Sequence, residues 1–376
     1  MKTELTSLDL LFLVRELKSL EGARVDKVYE QEDDKKDFLF VLRKIGEGAG
    51  KQMLRVKLPG LAYLTEYKSS FPERPPGFCV FLRKYLDNSR VKEVRQHAFE
   101  RILEVVFEVK KGEELSELTL VCELFSKGNM VLLEKDGKIK GLLESQNWES
   151  RTIRGGTKYQ YPPGQANTPK LTMAEFEKII TSTAFDSIVK TFAIELGLGG
   201  VYAEELCSRA GIPKDKKRLS IDEMDKAYTE LGGMFHLQIK ANSSDGEVFP
   251  FETAKSNSPS RKDYSSFNKA LDEELTDKMI SVSDARETKE KQTKEKKITL
   301  IIRKQEERLK ELEKSISENQ RKGELIYEHY AEIKELLDLM NSCRKKMGWD
   351  ELKKRYEGHV LVKEIDSKAG KIVVEL

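Results

Sequence analysis

A seam of positions between Ile298 and Met340 constrains this chain more than any other feature. It passes through Ile298, Ile302, Gln305, Leu309, Leu312, Ile316, Asn319, Gly323, Ile326, Tyr330, Ile333, Leu337 and Met340. The steps alternate four, three, four, three without a slip, which is the heptad of a coiled coil with polar breaks at Gln305, Asn319 and Gly323. At about 1.5 Å per residue the seam runs for roughly 60 Å. No other stretch offers a matching heptad of that length, so the second strand is expected to be another copy of the chain or sequence outside it. Self-pairing is the expectation, and folding back where Gly323 permits a bend is the other route.

Composition agrees with a compact part joined to a long solvated helix. Charged residues make up 35% of the chain and hydrophobic ones only 38%. With 67 basic and 65 acidic residues the net charge is +2, so bulk electrostatics cannot drive nucleic-acid binding and any such site must be local. Cys79, Cys122, Cys207 and Cys343 form no CxxC pair and lie at no metal-ligand spacing to the histidines. That implies a reducing compartment, buried thiols, and no metal or cofactor. The run "LDLLFLV" is too short and too acid-flanked for a signal peptide, and no apolar run approaches membrane-spanning length. A cytoplasmic protein with no membrane partner is expected.

The first part reads as an α+β domain. "LTSLDLLFLVRELKSLEGARV" is an amphipathic helix with Thr6 as cap, Asp9 three residues on, and Gly22 beyond its end. β-type segments follow, interrupted by one short helix in "PPGFCVFLRKYLDNSRV", and "KDGK" marks a hairpin. Residues 1–168 are assigned to this domain, and 169–242 to a helical module. The polar stretch 243–263 is expected to be a linker. Residues 264–347 form the coiled-coil arm, and 348–376 a β-hairpin-like end that stops on an apolar strand. That ending reads as a cut from a longer protein.

Four places could carry function. In "LGLGGVYAEELCSRAGI", Gly197, Gly199 and Gly200 can supply positive φ ahead of a helix starting near Val201, whose free N–H groups would favour a phosphate. A tight helix corner packing Leu196, Leu198 and Leu206 explains the same residues. The run "RKYLDNSRVKEVRQHAFER" holds Arg83, Lys84, Arg90, Lys92, Arg95 and Arg101 with Tyr85, His97 and Phe99 interleaved, which suits an RNA end; a solvated helix and strand face is the plainer account. Asp9 completes a capping box before any other role is considered. Lys127, Gly128 and Asn129 form a polar bend that could face a ligand or be a plain turn.

The order of "TSLDLLFLVREL", "GFCVFLRKYLDNSRV", "QHAFERIL", "ELFSKGNMVL" and "LGLGGVYAEELCSRAGI" resembles the NFACT family over nearly the whole chain, its archaeal branch above all. The resemblance implies an NFACT-N domain, a helix-hairpin-helix module and the first arm of a coiled coil. The returning arm and the RNA-binding NFACT-R domain would lie outside the chain. It also implies a ribosome-associated quality control factor, not an enzyme, that binds the large ribosomal subunit, rRNA and tRNA on stalled complexes. Some members of the family support untemplated tail addition. The residues carried to the tRNA-binding role are Asp9, Arg83, Lys84, Arg95, His97, Glu100, Arg101, Lys127 and Asn129. Asp9 matches a family aspartate linked to tail addition, and Arg101 the arginine of an Asp-Arg pair. Glu100 stands where that pair has aspartate, and Ser126 where many relatives have glycine.

The same pair of modules is similar to the formamidopyrimidine-type DNA glycosylases, which makes DNA binding or base excision the alternative. Those enzymes need an N-terminal proline nucleophile and a zinc finger. This chain begins "MKTE" and lacks the cysteines.

Overall fold

Thr6 starts the first helix, α1 (Ser7–Leu17), through a reciprocal cap: its Oγ1 accepts from the Asp9 N–H, and the Asp9 carboxylate accepts from the Thr6 N–H. Next come β1 (Arg24–Glu30), β2 (Asp37–Lys44), β3 (Gly50–Lys57), β4 (Leu61–Leu64), α2 (Gly77–Leu86), β5 (Arg90–Gln96), β6 (Ile102–Lys111), β7 (Glu114–Glu123), β8 (Asn129–Glu134) and β9 (Ile139–Leu142). These strands form one antiparallel sheet of nine, ordered β4-β3-β2-β1-β5-β6-β7-β8-β9. The computed structural model describes residues 2–31, 36–46, 49–68, 71–111, 114–148, 151–164 and 166–375, with the side chains of 111 and 277–296 left aside. The chain divides into two compact units, Met1–Val282 and Ser283–Leu376.

Strand alternation sorts the first unit into two faces. Phe38, Phe40 and Leu42, with Leu103, Val105 and Phe107, share the main core with Leu8, Phe12 and Leu13 of α1 and Leu82 of α2. The intervening residues point the other way and make two smaller clusters, one around Leu39, Val41 and Met53, the other around Ile102, Val121 and Val131. The second also takes in Tyr159 and Ile153 of β11 (Thr152–Ile153), which pairs with β10 (Gln146–Asn147).

Helices α3 (Met173–Ser182), α4 (Ile188–Ile194), α5 (Gly199–Ala210) and α6 (Ile221–Met234) add Phe176, Phe192, Leu206 and Leu231 to the main core, and the α4–α5 corner adds Leu196 and Leu198. The stretch expected as a linker holds a three-stranded sheet instead: β12 (Asn242–Ser244), β13 (Glu247–Phe249) and β14 (Lys262–Asp263). Its polarity is misleading, because several of the polar groups are buried with partners, although Asn242 Oδ1 and Ser244 Oγ are buried without one. Asn242 Nδ2 donates to the Lys240 and Phe251 carbonyls, and Ser243 Oγ donates to Glu274. Val248, Phe249 and Phe251 are buried beside them.

Helix α7 (Phe267–Glu328) starts in the main core with Phe267, Ala270, Leu271 and Leu275. The Glu16 carboxylate accepts from the N–H groups of Phe267 and Asn268 at 2.9 and 2.6 Å, which caps its first turn. In the second unit α7 is followed by α8 (Tyr330–Arg344), α9 (Trp349–Arg355) and the hairpin of β15 (Val362–Asp366) and β16 (Lys371–Val374). Two expectations change here. The helix runs unbroken through Gly323 and breaks at His329, so no fold-back occurs at the glycine. Met340, the last seam position, is not free for a partner: with Leu336 it is buried against Leu352, Tyr356, Val362 and Ile365. The earlier positions Ile298, Ile302, Leu309, Leu312, Ile316 and Ile326 are all exposed. Among the described residues no helix is long and apolar enough to cross a membrane.

Candidate nucleic-acid interface

One end of the large sheet collects most of the expected site residues. The β5–β6 turn, residues 97–101, lies there because Ile102 pairs with Glu123 across to β7, and the Leu124 N–H donates to the Arg101 carbonyl at 2.8 Å. The β7–β8 bend, with Lys127, therefore sits beside Arg101. The segment ahead of α1 reaches the same end: the Leu5 N–H donates to the Gly60 carbonyl, and a side chain at Gly60 would collide with the Thr3 carbonyl at 2.4 Å.

The turn is built with care. Ala98 adopts a left-handed backbone, φ 47°, and the Glu100 N–H closes back on the His97 carbonyl. His97 stacks on Tyr161 with centroids 3.5 Å apart and planes 4° from parallel. The Tyr161 hydroxyl donates to Glu104, a buried carboxylate that also accepts from Arg95 Nε at 2.6 Å. Burial holds His97 below the ordinary histidine value and pushes the Tyr161 phenol up. Gln96 Nε2 bridges the Ser7 and Glu100 carbonyls, tying the turn to the start of α1. Arg101, part-exposed, pairs with Glu4 at 2.6 Å. The product is a braced turn that carries Glu100 and Arg101, both half-buried.

Other expected residues fall elsewhere. Arg83 and Lys84 end α2, whereas His97–Arg101 follow β5, so a whole strand of about 20 Å separates them. The basic run is thus not one patch. Arg83 Nε donates to the Val28 carbonyl and its guanidinium lies 5.5 Å from the Tyr29 ring, while Lys84 is exposed beside Tyr85. Asn129 is fully buried and structural: its Nδ2 donates to the Glu144 carbonyl, and its Oδ1 accepts from the Met130 and Glu144 N–H groups. Asp9 is also fully buried. Neither faces solvent.

The glycine hairpin also differs in detail. Gly197 and Gly199 take positive φ, 66° and 73°, but Gly200 does not, and α5 begins at Gly199 rather than near Val201. A side chain at Gly199 would press on Thr6 Cγ2 at 3.1 Å, so its close approach is to the cap of α1. Ser126 has φ 55°, a backbone region that glycine occupies without cost, which explains glycine at that point of the pattern.

Sequence reading missed Lys2, Glu4, Glu104, Tyr161 and Tyr202. Only Glu104 left a trace: it and Glu108 are the two acids in the mostly apolar run "ILEVVFEV".

Comparison with known proteins decides the family. The profile of NFACT N-terminal and middle domains matches residues 6–371. The chain belongs to the NFACT family. It is 29% identical over 398 aligned residues to the archaeal Rqc2 homolog aRqcH of Methanocaldococcus jannaschii, covering all of this chain and 58% of that protein. It is 26% identical over 209 residues to the Rqc2 homolog RqcH of Bacillus subtilis, covering 51% of this chain and 35% of that one. The ribosome quality control complex subunit 2 of Saccharomyces cerevisiae is 38% identical over 152 residues, 39% of this chain and 14% of that protein. The chain thus spans little more than half the length of the archaeal relative. Among solved structures, the N-terminal part of the fibronectin/fibrinogen-binding protein from Streptococcus suis shares the fold, with a TM-score of 0.60 and 24% identity over 73% of this chain and all of that one.

Proposed function

We propose that this NFACT chain is a tRNA- and ribosome-binding factor of ribosome-associated quality control, acting without chemistry of its own. The observation that carries the reading is the braced β5–β6 turn, which presents Arg101 and Glu100 beside the Lys127 bend at one end of the sheet. Arg101 would meet a phosphate, with Arg95 and Lys127 as neighbouring cations, and His97 stacked behind the turn. Near-neutral net charge fits a factor whose contacts with rRNA and tRNA are shared with the ribosome and recognise shape. The α4–α5 corner would act as a helix-hairpin-helix at the RNA backbone through Gly197, Gly199 and Gly200. The exposed seam on α7 would pair with a second copy of the chain, and the protein would work in the cytoplasm.

The match to relatives named for ribosome quality control supports this reading. Nothing favours the glycosylase alternative: the second residue is a lysine whose side chain is buried against Asp9. The reading is tested with Arg101→Ala. Affinity for tRNA should fall about tenfold and the slope of log affinity against log salt should drop by about one. Wild-type affinity and slope in a folded variant would refute the assignment.

A further inference from the structure

Asp9 is the residue that family resemblance ties most directly to tail addition, yet its carboxylate has nothing left to offer a ligand. An ionised carboxylate has about four acceptor positions. Here Oδ1 accepts from Lys2 Nζ and from the Tyr202 hydroxyl, each at 2.6 Å. Oδ2 accepts from the Thr6 N–H and the Thr6 hydroxyl, each at 2.8 Å. All four are filled from within the chain, and the residue has no exposed surface.

Lys2 is equally committed. Its ammonium also donates to the Val248 carbonyl at 2.6 Å and lies 5.5–6.0 Å from the ring centroids of Phe267, Phe249 and Tyr202. Between Lys2 and Asp9 runs a short segment pinned at both ends. The Lys2 N–H donates to the Gly246 carbonyl, and the Leu5 N–H to that of Gly60. The pinned stretch carries Glu4, which is largely exposed and holds Arg101 at 2.6 Å.

We propose that Asp9 is a positioning residue. With Lys2 and Tyr202 it latches the segment Lys2–Thr6 so that Glu4 sets the direction of Arg101 at the RNA site. The inference rests on the proposed RNA-binding reading and deepens it, because it joins Asp9 and Arg101 through a physical path without direct contact between Asp9 and RNA. It also names two further positioning residues, Lys2 and Tyr202.

The test measures binding of unfractionated deacylated tRNA by the full chain, with thermal unfolding run in parallel. Asp9→Asn leaves a buried ammonium without its anion, and affinity should fall at least about tenfold. Adding Lys2→Met removes that stranded charge while an apolar side chain still anchors the segment among Tyr202, Phe249 and Phe267, so the double variant should recover to within about threefold of wild type. A direct-contact role predicts the opposite, a loss that persists whatever stands at position 2. Tyr202→Phe keeps the ring and is expected to fold whatever the outcome of the other variants. The latch predicts about threefold weaker binding, because one of four bonds to Asp9 is lost. Direct contact predicts unchanged or tighter binding, because an acceptor is freed. Arg101→Ala separates the two levels. If it has no effect on tRNA affinity, the reading of the site fails and the latch with it. If Arg101→Ala weakens binding while Tyr202→Phe does not, or the Asp9→Asn loss survives in the refolded double variant, the latch alone is overturned.

Discussion

The two units differ in how they hold charge. Besides exposed pairs such as Lys190–Asp186, the first buries ion pairs in its interior: Lys2 with Asp9, Arg55 with Asp37, Arg151 with Glu123. Along α7 in the second, pairs such as Arg303–Glu307 and Arg308–Glu311 lie on the exposed helix surface, three or four residues apart. The first arrangement depends on long-range packing, since the Arg55 guanidinium and Asp37 carboxylate meet only because β2 and β3 are in register. The second needs nothing but the helix. A buried ion left alone is costly, whereas an exposed pair contributes little. Charge therefore specifies structure in the first unit and keeps a helix soluble in the second.

The sharpest way to break that contrast is to remove one ion from each kind of pair. Arg55→Met should destabilise the first unit by about 3–5 kcal/mol in urea unfolding, since Asp37 is left buried. Arg303→Met should leave the unfolding transition where it was. Equal responses would dissolve the distinction.

The next effect concerns the apolar stripe on α7. If Leu309 and Ile316 meet a second copy, Leu309→Asp with Ile316→Asp should weaken self-association by at least about a hundredfold, given roughly 1.5–3 kcal/mol per buried large side chain. Sedimentation over a concentration series reads this directly. A wild-type chain that stays monomeric throughout would show that the stripe has no partner of its own kind.

Smaller effects refine the account of the first unit. Ser126→Gly should raise stability by about 0.5–1 kcal/mol, the left-handed strain relieved less the extra freedom of glycine. Chemical denaturation would show a loss instead if the serine side chain supported the bend. His97 supplies the pH term. Its folded value lies below the ordinary one, so the neutral ring is favoured on folding. That contribution is fully present above the ordinary histidine value of about 6.5 and is lost as pH falls through the folded value. His97→Phe keeps the stack on Tyr161, so its urea midpoint should decline less on acidification than that of wild type. An identical decline would place the acid sensitivity elsewhere.

Much of the fold was legible because the signals are local. Thr6 with Asp9, the β-type run "DFLFVLRK" and the turn at Gly137 all act within a few residues and have their counterparts in the structure, and the heptad stretch is helical. The misreadings share one cause. Asn242 and Ser243 looked like linker because composition cannot show that the Asn242 amide and the Ser243 hydroxyl donate to partners inside. The basic run from Arg83 to Arg101 looked like one patch because charge counted along a chain ignores the length of the strand in between.

What the sequence alone determined is the α+β class, the long helix with its apolar stripe, and the cap at Thr6. These follow from hydrogen bonds and periodicities a few residues long. The tertiary structure decided which charges are buried, and with that the place of each candidate residue. Lys2, Asp9 and Tyr202 meet across 193 positions of chain between Asp9 and Tyr202. Glu4 reaches Arg101 across 97. No local pattern encodes such encounters. They exist because the segment ahead of α1, helix α5 and the end of the sheet are packed against one core, where a buried charge without a partner is costly.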